Sequence, residues 1–107
     1  MTSQIQQSMG DISRRELLKP VKRVVVKVGS AVLTAKDGLN RRVIHNLTHD
    51  MCALRKKGVE IILVSSGAIS SGLRKIGLTK RPDSISQKQA VAAIGQISLM
   101  IAWEKAF

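Results

Sequence analysis

Two short apolar runs limit what this chain can fold into more than any other feature. VVVKV at 24–28 and IILV at 61–64 are rich in β-branched residues and nearly continuous, and each stops abruptly in small residues. Gly29-Ser30 follows the first and Ser65-Ser66-Gly67-Ala68 the second. Runs of this length without polar alternation read as strands of a parallel sheet, buried on both faces. The expected strands are Arg23–Gly29 and Val59–Ser65. A strand that ends in small residues and passes into a helix points bare backbone N–H groups at one place, which suits a phosphate or a carboxylate.

The segment between the runs reads as a loop and then a helix. Ser30–Leu39 is the expected loop, with Asp37-Gly38 as its turn. Asn40 is a natural N-cap for a helix from Arg41 to about Lys57. Val43, Leu47, Met51 and Leu54 recur at helical spacing with Ile44 beside them, which gives one apolar face. Arg55, Lys56 and Lys57 occupy the last turn, where cations suit the helix dipole, and Gly58 is a natural C′ residue.

After the second run a short helix is expected from Ala68 to Ile76, stopped by Gly77. A basic loop over Leu78–Asp83 follows, then a long helix from Ser84 or Ser86 to the end. Ser86 with Gln89 has the form of a capping box. Strand, helix, strand, helix is a βαβ unit with a right-handed crossover and a parallel sheet. The last helix is apolar nearly all round, so it is expected to pack on more than one side. Two parallel strands make no viable sheet alone, and the last helix reaches Phe107 without a glycine or proline stop. The expectation is therefore an incomplete α/β domain over 21–107, behind a flexible polar leader over 1–20.

Composition narrows the function classes. Aromatic residues are two, Trp103 and Phe107, so the core is built from Val, Ile, Leu and Ala. Cys52 is the single cysteine, which rules out an internal disulfide and a cysteine-based metal site. The N-terminus has no apolar secretory segment, and the stretch 90–103, broken by Gly95, Gln96 and Ser98, is too short to span a bilayer. No membrane association is expected, and the reading is a cytoplasmic protein. A formal charge of +11 raises the question of nucleic acid. The basic residues are scattered along the chain, however, with no aromatic residues between them to stack bases, so nucleic acid is not the expected partner.

Lys27 is the sharpest single candidate for chemistry. A lysine inside a buried strand is costly to desolvate unless an anion meets it. At the C-terminal end of its strand it would face the crevice where open parallel sheets bind ligands. The competing reading is a lysine whose amine simply reaches solvent. Gly29 and Ser30 would bring N–H groups close to a phosphate, or else form an ordinary tight turn. Ser66-Gly67-Ala68 offers a hydroxyl and small residues against which a carboxylate could lie. Neither loop is a Walker A sequence or a full G-x-G-x-x-G. His45 and His49 are four apart but lack a third ligand, so no metal site is expected.

VVVKVGSAVLT at 24–34, ILVSSGAISSG at 62–72 and SQKQAVAAIGQ at 86–96 together resemble the amino-acid kinase family, and within it the glutamate 5-kinases. The resemblance runs from about Val21 to the end. It implies a three-layer αβα sandwich with a mainly parallel sheet, of which this chain would be the N-terminal part. It also implies ATP-dependent phosphorylation of the side-chain carboxylate of L-glutamate to glutamyl 5-phosphate, the first step of proline biosynthesis, with Mg²⁺. Lys27 would act on the ATP phosphates as the catalytic cation, Gly29 and Ser30 would line the same site, and Ser66, Gly67 and Ala68 would bind glutamate. Proline as a feedback inhibitor and a homo-oligomer when complete are implied as well. The family's acidic and amide residues from its later half are missing here, so this chain alone is expected not to turn over. The alternatives are a non-catalytic glutamate- or proline-binding module, or another amino-acid kinase.

Overall fold

A computed structural model describes residues 13–36 and 38–107. Most of the expected leader therefore lies outside the described residues, as does Asp37 of the expected turn. Residues 13–18 form a short exposed helix, α1. There follow β1 (Arg23–Val28), α2 (Ser30–Leu33), β2 (Thr34–Ala35), β3 (Gly38–Leu39), α3 (Arg41–Lys56), β4 (Glu60–Ser65), α4 (Ala68–Ile76) and α5 (Ile85–Ala106).

β1 and β4 pair in parallel, from Arg23 opposite Glu60 to Val28 opposite Ser65. α3 is the crossover between them, so the βαβ unit is present. Asn40 caps α3 as expected, its Oδ1 accepting from the Val43 amide at 3.2 Å. The other end closes on Gly58 at φ +88°, with Gly58 N–H donating to the Arg55 carbonyl and Val59 N–H to the Leu54 carbonyl. That pair of bonds is the Schellman arrangement, and the left-handed φ is what calls for glycine.

Three expectations change. The segment 30–39 is more than a loop. The Gly29 carbonyl accepts from the Val32 and Leu33 amides, which winds one helical turn, and Leu33 is drawn to complete burial. Thr34–Ala35 then pairs antiparallel with Gly38–Leu39 as a small hairpin. The second change is the cap of α5. It is Ser84, whose Oγ accepts from Gln87 N–H at 3.2 Å, two residues before the expected Ser86–Gln89 box. The S-x-x-Q spacing occurs at both places, and the earlier serine has the extended backbone of an N-cap, φ −76° and ψ 145°.

The third change concerns the strands, which are not buried on both faces. Val24, Val26 and Val28 with Ile61 and Leu63 turn inward, whereas Val25 is 55% exposed and Ile62 and Val64 46% each. The core holds Val28, Leu33, Ile44, Met51, Leu99 and Trp103, so α3 and α5 cover the same face of the strand pair. Among the described residues nothing covers the other. Likewise α5 buries one stripe, Val91, Gly95, Leu99 and Trp103, and leaves Ile94, Ile97 and Met100 exposed. Leu33 and Leu99 are fully enclosed, and each contributes about 1.5–3 kcal/mol by burial.

Candidate functional site

The parallel register ends both strands at the same level, Val28 beside Ser65. One further bond continues the ladder: Ser66 N–H donates to the Val28 carbonyl at 2.8 Å. The structure therefore brings together the two loops singled out in the sequence, Gly29-Ser30 and Ser66-Gly67-Ala68. Both pass directly into helices, α2 and α4.

These two helices differ from α3 and α5 at their starts. α3 and α5 are capped by the side chains of Asn40 and Ser84, whereas α2 and α4 begin at Gly29 and Gly67 with no side-chain cap. Their first N–H groups are thus left for another acceptor, and an anion is the natural one. Gly29 has ordinary extended backbone, and a Cβ there would meet nothing within 4 Å. Its absence keeps the peptide bare on the solvent side. Gly67 is different: φ is +104°, so the turn itself requires glycine, while Leu33 and Leu99 pack at ordinary contact distance.

Ser66 is exposed at the tip, Gly67 is buried and Ala68 is half-buried against the core. Behind them lies a feature not read from the sequence. The Trp103 indole Nε1–H donates to Ser65 Oγ at 2.9 Å, and Ser65 Oγ–H donates to the Ser66 carbonyl at 2.9 Å. A buried tryptophan on α5 thus holds the peptide that carries Ser66. The pairing joins residues 38 apart, which no local pattern reveals.

Lys27 is exposed, opposite Val64 on the uncovered face of the strands. The expected desolvation is absent from the described structure, because alternation along β1 places Lys27 with Val25 and not with Val28. Its side chain leaves β1 two residues before Gly29, at the same end of the sheet as both loops. Ser30 is also exposed. His45 is exposed, and His49 Nδ1 sits 3.7 Å from Asp50 Oδ1 at the surface. Among the described residues no three His, Cys, Asp or Glu side chains converge on a metal position.

A second glycine-dependent contact fixes α4. A Cβ on Gly72 would overlap the Val91 carbonyl oxygen, and one on Gly95 would overlap the Ala68 carbonyl oxygen and the Gly72 amide nitrogen. The two helices cross backbone to backbone, with the start of α4 at the crossing. The isolated glycines within helical patterns were the available sequence signal for this.

The sequence model of the amino acid kinase family matches residues 22–107. The glutamate 5-kinase of Syntrophotalea carbinolica is 52% identical over 94 residues, which is 88% of this chain and 25% of that protein. That of Pelobacter propionicus is 50% identical over 95 residues, 88% of this chain and 26% of the relative. That of Thermus thermophilus is 50% identical over 86 residues, 80% and 23% respectively. The chain spans about a quarter of the length of the curated relatives it matches.

Proposed function

Because the chain belongs to the amino acid kinase family, we propose that it supplies the phosphate and acceptor loops of a glutamate 5-kinase. The observation that carries this reading is the pair of uncapped helix starts, α2 and α4, set side by side by the Ser66–Val28 hydrogen bond. In it, the Gly29-Ser30 loop and Lys27 receive the ATP phosphates, and Ser66 with the Gly67-Ala68 backbone receives glutamate.

The reaction suits such a site. The side-chain carboxylate is ionised at neutral pH, so no general base is needed. One carboxylate oxygen bonds to the γ-phosphorus, the bond to the β,γ-bridging oxygen breaks, and ADP leaves with that electron pair. What the protein must supply is alignment and cancellation of negative charge. Backbone N–H groups at the two helix starts and the Lys27 ammonium do both. Mg²⁺ would supply further cancellation of phosphate charge, and none of the described residues is assigned to hold it.

Inhibition by proline at the acceptor loop belongs to the same reading, since proline presents the α-carboxylate and amine that glutamate presents. Self-association is also part of it, supported by the exposed apolar side of α5. So is a cytoplasmic location: among the described residues no helix is long and apolar enough to cross a membrane.

The test is glutamate-dependent ADP release by the natural polypeptide that contains these residues, with hydroxylamine trapping of the acyl phosphate. Hydroxamate formed from glutamate supports the reading. Turnover with a different acid, or glutamate binding without turnover, would replace it with another amino-acid kinase or a binding module.

A further inference from the structure

On the helical side of the molecule, α3, α4 and α5 enclose an open cavity of about 750 Å³. Four cationic side chains line it: Arg41 from α3, Arg74 and Lys75 from α4, and Lys105 from α5. No described residue lining it is acidic, and none of the four pairs with a carboxylate among the described residues. Ile44 and Ile101 form part of its apolar lining. Ser71 completes one wall, buried, its Oγ without a hydrogen-bond partner among the described residues.

Some of this charge has a simple structural cause. Arg74, Lys75 and Lys105 sit in the last turns of their helices, where a cation suits the dipole. Arg41 does not, because it opens α3, the end at which a cation is unfavourable. Arg74 is in addition held from outside its helix. Its Nη1 reaches the Lys36 carbonyl at 3.5 Å, and its Cδ and Nε lie 2.8 Å from where a Gly38 Cβ would stand. The turn itself calls for glycine at Gly38, where φ is +122°, and the Arg74 side chain occupies the space a Cβ would take. Most of that group's five donors remain for a ligand.

We propose that this cavity binds a compact oligophosphate, free or as the tail of a nucleotide, at a site separate from the strand-end loops. Four unpaired cations converge on a space far larger than one phosphate, and guanidinium groups favour phosphate oxygens in paired contacts. The volume lies in the range of small-molecule sites. A concave site of that size favours a short anion over a long nucleic acid.

Calorimetric titration with inorganic tripolyphosphate tests this, on the natural polypeptide that contains these residues and in a Lys27→Ala background that weakens the strand-end loops. Single-site binding is expected, weakened about tenfold or more in the Arg41→Gln/Lys105→Gln double variant. Lys56→Gln/Lys57→Gln removes the same charge from the opposite end of α3, roughly 22 Å away, and is expected to leave the affinity within about twofold. All these side chains are exposed, and circular dichroism checks that each variant is folded; Lys75→Gln replaces the cavity pair if it is not. In a Lys27→Ala background, ATP binding as tightly as tripolyphosphate identifies a bare phosphate chain as the ligand, and tighter binding a nucleotide. Equal weakening by the two double variants would overturn the proposal in favour of diffuse charge. Loss of binding in Lys27→Ala would move the anion to the strand ends. Affinity for single-stranded RNA that exceeds tripolyphosphate and grows with length would make this a nucleic-acid surface instead.

Discussion

Gly95 of α5 lies against Gly72 of α4 so closely that neither position has room for a methyl group. A Cβ on Gly95 would collide with the Gly72 amide nitrogen and the Ala68 carbonyl oxygen, and one on Gly72 with the Val91 carbonyl oxygen. Backbone carbonyls cannot swing aside as side-chain ends do. The contact therefore sets where α4 starts, and with it the Ser66–Ala68 loop.

Gly95→Ala is accordingly expected to destabilise the chain by about 1–3 kcal/mol or more, since overpacking at a rigid contact forces the helices apart. Alanine's better helix propensity returns only about 1 kcal/mol. Gly29→Ala is the matched control: it has open space and ordinary extended backbone, so a change within about 0.5 kcal/mol is expected. Urea denaturation midpoints read both. Equal midpoints for the two variants would remove the close crossing.

The Trp103–Ser65–Ser66 relay gives a second expectation. Trp103→Phe deletes the indole donor, and Ser65→Ala deletes the hydroxyl that accepts from it and donates onward. Each is expected to cost roughly 1 kcal/mol or more, the tryptophan more because it also loses buried volume. The double variant should cost less than the sum, by about 0.5 kcal/mol or more, because the shared bond is lost once. Strict additivity in the denaturation cycle would mean the two side chains act independently.

Helix caps distinguish two serines two residues apart. Ser84→Ala removes the acceptor for Gln87 N–H and should cost about 1 kcal/mol, as should Asn40→Ala at the start of α3. Ser86 lies inside the first turn of α5, exposed and not the cap, so Ser86→Ala is expected to be nearly neutral. Thermal unfolding of the three variants decides it, and the reverse order for Ser84 and Ser86 would restore the later capping box.

Much of this architecture was legible from local chemistry. Asn40, Gly58 and Gly77 mark helix ends through groups within five residues of themselves, and each stands where the pattern put it. The β-branched runs located both strands, and their small terminal residues located both loops. Burial was less legible. Val25, Ile62 and Val64 have the sequence of doubly covered strands, but the two helices that pack here share one face, so a composition suited to burial lies open in the described residues. The burial expected of Lys27 differs for the same reason: whether a strand residue is desolvated depends on which layer covers its face. The Ser65–Trp103 bond and the Gly72–Gly95 contact join segments far apart in sequence, where a single chain offers only a hydroxyl, an indole and two glycines without saying which meet.

Lys27 carries the last prediction, and its exposure makes the test clean. An exposed strand lysine that forms no ion pair among the described residues contributes little to stability, so Lys27→Ala should shift the unfolding midpoint by no more than about 0.5 kcal/mol. If its ammonium meets the transferring phosphoryl group, the same change in the natural polypeptide should lower kcat by about 10²–10³ while the acceptor KM moves little. Ser66→Ala should do the opposite, raising the glutamate KM more than it lowers kcat, because it removes a contact made to the substrate before reaction. The two effects separate phosphate chemistry from acceptor binding on adjacent loops. Near-normal turnover in Lys27→Ala would leave the backbone N–H groups of α2 as the phosphate ligands and return Lys27 to a solvated surface role.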